Sequence, residues 1–289
     1  MTVPRVSVLM TAYNRERFIA EAIRSVLAST FTDFELIVVD DQSKDGTVKI
    51  ARGFASQDSR VRVYVNDMNL GDYGNRNRAA SHATGRYLKY VDADDYIYSH
   101  GLDVMVRMMD AFPSAGYGLC SQRPLGNRPY PILLEPREAY HYHYARRLGI
   151  FSRAPLSSIM RKDVFERVGG FPEIRMVADF AMWHRLSLDT PVLLMPQGLV
   201  WHRKHDAQEI NQIQRRPVFY RLAYEQVTNE YVPPALEHNL ITEAEANRIL
   251  HDIRRGRMKD GLKQLMALQP GHAFGLLRSL LITEKRQRC

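Results

Sequence analysis

The chain has 289 residues, of which 45% are hydrophobic and 25% charged, a composition typical of a soluble globular protein. It has only two cysteines, which excludes a disulfide framework, and it lacks the run of roughly 18 apolar residues that a membrane-spanning helix needs. The net charge is +8, but no recognised nucleic-acid-binding motif accompanies the basic residues, so nucleic acid is not an expected partner.

The first hundred residues alternate between strand and helix patterns. Strands are predicted over residues 6–11, 34–39, 61–65 and 87–91. Helices are predicted over residues 19–27, from about Asp45, and over residues 73–84 with Gly85 as the C-terminal cap. This alternation predicts an α/β fold with a Rossmann-like, mostly parallel central sheet flanked by helices.

The pattern is less regular in the second half of the chain. Helices are predicted up to Phe112, over residues 162–168 and from Asp179, and strands over residues 117–120, 156–160, 192–195 and 199–201. Residues 123–136 are rich in proline and predict an irregular loop. We predict one domain over residues 1–206 and a helical C-terminal extension over residues 207–289.

Three carboxylates within four positions follow the fourth predicted strand. Because side chains alternate across a strand, Asp92 and Asp94 should leave the sheet edge on one side and Asp95 on the other. Carboxylate oxygens are the ligands that Mg²⁺, Mn²⁺ and Ca²⁺ prefer. The alternative is a solvated acidic turn that caps the next helix.

Polar groups also follow the first two predicted strands, as residues 11–13 and as Asp40 with Asp41. In open parallel sheets, ligands bind outside the carboxyl ends of the strands, at a topological switch point. We therefore predict one ligand site at this edge, where these residues meet the acidic cluster at residues 92–95.

These motifs resemble those of the family 2 glycosyltransferases, which have a GT-A fold. The matching stretches occur in the family's order, at residues 6–14, 34–47, 69–71, 79–80, 84–87, 92–95, 169–173 and 178–183. The resemblance covers about residues 4–208. Two positions depart from the family, since Ala178 stands where a glutamate is frequent and Gln208 where Ser or Thr is usual.

The resemblance implies an inverting transferase that takes a sugar from a nucleotide-diphosphate donor, most often a UDP-sugar. It places these residues in the nucleotide site: Thr11, Ala12, Tyr13, Asp40, Asp41, Asn69, Arg78, Asp92 and Ala93. It implies that Asp94, Asp95 and His205 bind Mn²⁺ or Mg²⁺ and that Arg203 meets the diphosphate. Asp179 resembles the general base that takes the proton of the acceptor hydroxyl.

The expected acceptor is a glycan or a lipid-linked saccharide. The absence of the Gln-x-x-Arg-Trp motif of processive synthases favours addition of a single sugar. The arginine-rich segment 123–153 lies where the family builds acceptor contacts, which suggests an anionic acceptor, although a solvated loop is the alternative. His141 and His143 have metal-ligand spacing but no evident third ligand, so a surface or acceptor-facing segment is expected there.

Other functions remain open at this stage. A non-catalytic nucleotide-sugar sensor could use the same fold, and the missing glutamate at Ala178 keeps this alternative open. A nucleotidyltransferase or a dinucleotide-dependent oxidoreductase would need a glycine-rich loop after the first strand, which residues 11–14 lack.

The N-terminus lacks the apolar core of a signal peptide, so we expect a cytoplasmic protein. Residues 276–282 permit peripheral contact with a membrane, although packing of this segment against the catalytic domain is the favoured alternative. A homo-oligomer is compatible with the sequence.

Overall fold

The computed structural model describes residues 3–120, 122, 125–146, 148–174, 177–206 and 227. Within these ranges the strands are β1 (Val6–Ala12), β2 (Phe34–Asp40), β3 (Val61–Val65), β4 (Tyr87–Tyr90), β5 (Tyr96–Ile97), β6 (Tyr117–Leu119), β7 (Ile132–Leu134), β8 (Ser158–Arg161), β9 (Val192–Leu194) and β10 (Val200–Trp201). The α-helices are α1 (Ile19–Leu27), α2 (Thr47–Ala55), α3 (Gly71–Ser81), α4 (Gly101–Ala111), α5 (Pro136–Tyr140), α6 (Lys162–Arg167) and α7 (Ala178–Leu186). A π-helical turn over His141–Ala145 follows α5, and a 3-10 turn over Pro155–Ser157 precedes β8.

Eight of these strands form one sheet in the described residues, in the order β3-β2-β1-β4-β8-β6-β9-β7. The first four are parallel, β8 is antiparallel to both β4 and β6, and β7 is antiparallel to β9. Strands β5 and β10 form a separate antiparallel pair. The predicted α/β fold with a mostly parallel central sheet is confirmed.

The central strands are buried on both faces. Leu9 and Ile37 pack into a core on one side of the sheet, whereas Val8 and Leu36 pack into a second core on the other side. A strand covered on both faces has no polar side, which explains why β1 and β2 are almost continuously hydrophobic in sequence.

Helix α3 differs from its prediction at both ends. It begins two residues earlier than predicted, where the backbone N–H groups of Leu70 and Gly71 donate to the carboxylate of Asp41. It ends at Ser81 rather than at Thr84. Gly85 is therefore not its cap. A Cβ atom at Gly85 would lie 2.6 Å from the backbone nitrogen of Ser7, so this glycine permits the close approach of two backbone segments.

We expect Gly85→Ala to lower the free energy of unfolding by about 1–3 kcal/mol, because backbone atoms on β1 cannot move aside for the new methyl group. Gly53→Ala is the matched control, since Gly53 is exposed in α2 and a Cβ atom there would have no neighbour within 4 Å. The control should gain up to about 1 kcal/mol. Urea unfolding of both variants measures the difference, and equal stabilities would contradict the expectation.

Several predictions for the second half of the chain were incomplete. The proline-rich segment contains β7, and β5 precedes α4, which begins only at Gly101. His143 is buried instead of on the surface, and its Nδ1 accepts a hydrogen bond of 2.8 Å from the backbone N–H of Phe151. The His143 ring packs against the ring of Phe151 in the core, whereas His141 is exposed. The two side chains therefore do not face a common metal site.

The predicted C-terminal extension over residues 207–289 lies outside the described residues, apart from residue 227. Among the described helices, none has both the length and the apolar character needed to span a bilayer.

Candidate active site

The carboxyl ends of β1 and β4 bring the first predicted site residues together. These strands are parallel neighbours, and the hydroxyl of Thr11 donates a hydrogen bond of 3.2 Å to Oδ1 of Asp92. The backbone N–H of Ala93 donates to the carbonyl of Thr11 across the same junction, at 3.3 Å. Ala12 is buried at the end of β1, and Tyr13 beyond it is 46% exposed.

Asp92 is neutralised by a buried arginine from α3. The guanidinium of Arg76 binds it with two hydrogen bonds, Nη1 to Oδ1 at 2.7 Å and Nη2 to Oδ2 at 3.0 Å, and its Nε reaches Asp72 at 3.0 Å. Burial by itself raises the pKa of Asp92, but the charge and hydrogen bonds of Arg76 outweigh it and lower the pKa below its usual value. Asp92 is therefore an anion with a fixed orientation.

Arg78 was the arginine predicted on this helix, and Arg76 was not. Arg78 is exposed, whereas Arg76 lies on the buried face of α3 with Tyr73 and Ala80. These three buried residues are spaced three and four apart, so helical periodicity indicates Arg76 as the buried arginine of α3, while the role of Arg78 in the nucleotide site stays a prediction.

Asp94 contacts two basic side chains. Its Oδ2 accepts a hydrogen bond of 2.8 Å from Nε of Arg15, which follows β1, and lies 3.0 Å from Nε2 of His205. The His205 ring in turn packs on Phe18, with the ring centroids 4.5 Å apart. The predicted residues Asp94 and His205 are thus neighbours, while Arg15 was not predicted.

Asp95 is buried and hydrogen-bonded to the backbone of residues 203–205, which we call the late Arg-x-His element. Its Oδ1 accepts from the N–H of Arg203 at 3.0 Å, and Nε of Arg203 donates to the carbonyl of Asp94 at 2.9 Å. Burial, reinforced by the charges of Asp92 and Asp94, raises the pKa of Asp95 to about 8. Arg203 also forms an ion pair with Glu21 of α1, at 2.7 Å, which was not predicted.

Two of the side chains at this sheet edge are suitable ligands for a divalent cation. Within the described part of the chain, no three His, Cys, Asp or Glu side chains are arranged to hold a metal ion by themselves. Asp94 and His205 nevertheless offer an oxygen and a nitrogen that converge at 3.0 Å. Magnesium sites commonly use one or two protein ligands and take the others from substrate phosphates and water. The pair therefore fits a site that a diphosphate completes.

Asp40 and Asp41 lie at the end of β2 and use their carboxylates to organise loops. Asp41 accepts hydrogen bonds from the side chain of Asn66 and, through both oxygens, from the start of α3, while its carbonyl accepts from Nδ2 of Asn69 at 2.9 Å. Asp40 accepts from the backbone N–H of Ser43 at 2.8 Å. Their predicted contact with a nucleobase stays a prediction.

Two reciprocal hydrogen bonds connect the loops that follow β1 and β2. The N–H of Asn14 donates to Oγ of Ser43, and the N–H of Lys44 donates to Oδ1 of Asn14, both at 2.8 Å. Asn14 has a φ of 53°, a left-handed conformation that asparagine adopts more readily than most residues. We call these two bonds the Asn14–Ser43 loop link.

Asp179 lies in the first turn of α7, beside the cluster formed by Asp72 and Arg76. Its Oδ1 accepts a hydrogen bond of 2.7 Å from the N–H of Phe180. Burial is the main cause that raises the pKa of Asp179 to about 7, and the charge of Asp72 adds to it, while Arg76 opposes it. A carboxyl group with a pKa near neutrality is suited to proton transfer.

A buried lysine lies beneath the acidic cluster. Lys89 of β4 is fully buried, and its Nζ donates to the carbonyls of Tyr90 and Leu156. Burial lowers the pKa of Lys89 to about 8, although the negative charges of Asp92 and Asp95 favour its ammonium form. The lysine therefore places a positive charge in the core close to the carboxylates of Asp92 and Asp95.

The fold is that of the GT-A glycosyltransferases. Residues 7–169 match the family described as Glycosyl transferase family 2. The putative teichuronic acid biosynthesis glycosyltransferase TuaG of Bacillus subtilis is 35% identical over 184 residues, which are 62% of this chain and 71% of TuaG. The chain belongs to glycosyl transferase family 2, as the sequence motifs predicted.

Other relatives share a shorter region or only the fold. The Escherichia coli UDP-Glc:alpha-D-GlcNAc-diphosphoundecaprenol beta-1,3-glucosyltransferase WfgD is 38% identical over 104 residues, 36% of this chain and 40% of WfgD. The chain spans about two fifths of the length of the first curated relatives it matches. The mannosyltransferase PcManGT from Pyrobaculum calidifontis, solved in complex with GDP-Man and Mn²⁺, has a TM-score of 0.62 and 21% identity, covering 79% of this chain and 65% of PcManGT.

Proposed function

We propose that this chain transfers a single sugar from a UDP-sugar to a hydroxyl group of a glycan or lipid-linked saccharide, with inversion at the anomeric carbon. One observation carries the proposal. Asp92 and the Asp94–His205 pair lie at one sheet edge, and Arg76 connects Asp92 to the cluster beside Asp179. The groups proposed to bind the nucleotide and the diphosphate and the group proposed to take the acceptor proton are thereby connected through Arg76.

The nucleotide would bind across the ends of β1, β2 and β4. Tyr13 offers an exposed ring to the base, and Asp40 and Asp41 lie at the adjacent strand end. Asp92, held by Arg76 and Thr11, is oriented to accept hydrogen bonds from the ribose hydroxyls. UDP is the nucleotide we propose, and the name of WfgD specifies UDP-Glc.

Mn²⁺ or Mg²⁺ would be held by Asp94 and His205, with Arg203 close to the diphosphate. When bound, such an ion stabilises the negative charge that develops on the leaving diphosphate. The raised pKa of Asp95 and its hydrogen bond with the backbone of Arg203 favour a supporting role for this residue, which orients the late Arg-x-His element. PcManGT, which is similar in fold, was solved with Mn²⁺ in its complex.

Asp179 would act as the general base. A single displacement needs one carboxylate to remove the proton of the acceptor hydroxyl while the hydroxyl oxygen attacks the anomeric carbon. The hydrogen bond from Phe180 fixes one oxygen of Asp179, at 2.7 Å. Ala178 is fully buried in the core beside Asp179, so this chain offers no second carboxylate at that position.

The raised pKa of Asp179 predicts a pH profile. Because only the ionised carboxylate can accept a proton, kcat/KM should rise with pH through about 7, the value to which burial raises the pKa, and level off above it. Below that point kcat/KM should fall about tenfold per pH unit. Nucleotide release measured across this range tests the expectation, and an acid limb near the ordinary aspartate value of about 4 would contradict it.

The acceptor would approach from the side of the arginine-rich segment. Arg153 donates through Nη2 to Oε1 of Gln122 at 3.1 Å, and its carbonyl accepts from the indole N–H of Trp183 in α7 at 2.6 Å. Burial is the main cause that lowers the pKa of His202, which directly precedes the late Arg-x-His element. The positive charge of Arg153 lowers this pKa further, so Arg153 adds positive charge to this part of the site. This supports an anionic acceptor such as a lipid-linked diphosphate, reached at the inner face of the membrane.

A screen of nucleotide-sugars with Mn²⁺ or Mg²⁺, read out as nucleotide release and as product formed on glycan and lipid-diphosphate acceptors, tests the proposal. Release that depends on both metal and acceptor supports the transferase. Tight donor binding without release or transfer would instead favour a non-catalytic nucleotide-sugar sensor. Product analysis by NMR distinguishes inversion from retention at the anomeric carbon.

A further inference from the structure

We propose that Arg15 is a positioning residue that makes metal binding depend on the nucleotide diphosphate. Arg15 would compete with a divalent cation for Asp94, and the diphosphate would remove this competition by taking the guanidinium. The inference rests on the proposed function, and it concerns a residue that the sequence motifs did not single out.

Arg15 connects the end of β1 with the acidic cluster. Its Nε donates to Oδ2 of Asp94 at 2.8 Å, while its Nη1 donates to the carbonyl of Tyr13 at 2.9 Å and to that of Asn14 at 3.2 Å. The backbone N–H of Arg15 donates to Oγ1 of Thr47 at the start of α2, at 2.7 Å. The guanidinium therefore lies between the loop that follows β1, which contains Tyr13, and Asp94, the proposed metal ligand.

The contact competes directly with a cation. Arg15 bonds to Oδ2 of Asp94, which is the same oxygen that faces Nε2 of His205. A divalent ion held between Asp94 and His205 would have to share or replace this hydrogen bond, and it would be repelled by the positive charge beside it. The side chains of Arg15 and Asp94 are only 24% and 14% exposed, so water screens this repulsion weakly.

A diphosphate is a better partner for this guanidinium than one carboxylate oxygen. Arginine presents a planar fork that matches phosphate oxygens with two parallel hydrogen bonds. In the described part of the chain, Arg15 uses Nε and Nη1, and no residue accepts a hydrogen bond from its Nη2. Phosphate oxygens that reached Nε and Nη2 would release Oδ2 of Asp94 for the metal. Donor and metal would then bind with positive cooperativity, which is reciprocal by thermodynamic linkage.

Calorimetric titration with Mn²⁺, first alone and then with saturating UDP or GDP, tests this coupling. In the parent protein, the nucleotide should tighten Mn²⁺ binding. In Arg15→Met, Mn²⁺ alone should bind about tenfold more tightly than in the parent, because a competing charge-assisted hydrogen bond is gone. The additional tightening by nucleotide should shrink by a similar factor in this variant.

Two further variants separate this coupling from simpler effects. Arg17→Met removes the same charge from an exposed neighbour that lies over Phe18 and has no contact with Asp94 among the described residues, so it should leave Mn²⁺ affinity nearly unchanged. Arg15→Lys retains the charge and should restore much of the parent's weak affinity for Mn²⁺ alone. Equal tightening in Arg15→Met and Arg17→Met would show a general charge effect and overturn the proposal.

The outcomes also distinguish this inference from the proposed function. If the parent binds neither UDP nor GDP with Mn²⁺ present, the proposed function itself fails. If the parent binds a nucleotide together with Mn²⁺ but Arg15→Met binds Mn²⁺ alone no more tightly than the parent, the coupling is wrong and the transferase proposal stands. Mn²⁺ that binds to no variant, with or without nucleotide, would overturn the competition that Arg15 is proposed to exert.

Discussion

Replacing Asp179 with Asn is expected to lower kcat by a factor of about 10²–10⁴, the range that a general base contributes. The amide has nearly the same shape and can still accept the hydrogen bond from Phe180, so the first turn of α7 should be retained. Donor binding should change little, because the contacts with the diphosphate and with the nucleobase are assigned to other residues. Steady-state nucleotide release together with calorimetric binding of the donor measures both effects.

Asp189→Asn is the matched control for this substitution. Asp189 follows α7, its side chain is 59% exposed, and it pairs with Arg167 on the surface at 3.2 Å. This variant should retain full turnover and full donor binding. If Asp179→Asn also turned over at the parent rate, another group would have to accept the proton, and the assignment of the base would fail.

Replacing Arg76 with Met is expected to lower the free energy of unfolding by about 3–5 kcal/mol, the usual cost of removing one partner of a buried ion pair. Arg76 is only 6% exposed, and it hydrogen-bonds both Asp72 and Asp92. Without the guanidinium, the partly buried carboxylate of Asp92 would have lost its two shortest contacts. Urea unfolding monitored by circular dichroism measures the loss.

Two comparison variants make this prediction specific. Arg107→Met breaks an ion pair with Asp103 on the exposed face of α4, where Arg107 is 78% exposed, and it should cost less than about 1 kcal/mol. Adding Asp92→Asn to Arg76→Met should recover part of the stability, since the uncompensated charge is then removed. A double variant no more stable than Arg76→Met would show that the loss arises from packing rather than from charge.

The part of the fold that sequence predicts well is the part with continuous patterns. Strands β1 and β2 are buried on both faces, so their hydrophobic runs are broken only by Ser7 and Glu35 before the polar residues that mark their ends. Three-residue β7 shows no alternation long enough to recognise, and the prolines around it indicate a loop. Its strand conformation depends on pairing with β9, a contact distant in sequence.

The site shows a similar division. Short acidic side chains at strand ends are placed by the backbone, so the pattern alone indicates that Asp92 and Asp94 lie at the sheet edge. Arg15 and Arg76 are long, and their partners lie 79 and 16 residues away, respectively, in the contacts with these two aspartates. Sequence spacing does not determine which way such a side chain turns, and only the packed structure identifies its partner.

The Asn14–Ser43 loop link has a consequence for ligand selection. Two loops that are already fastened to each other lose little conformational entropy when a nucleotide enters between them, so more of the intrinsic contact energy is available as affinity. If the proposed nucleotide site lies between these two loops, the link would also limit their adaptation to a base of another size. Discrimination between pyrimidine and purine nucleotides would then arise from the fixed spacing of the two loops rather than from rearrangement on binding.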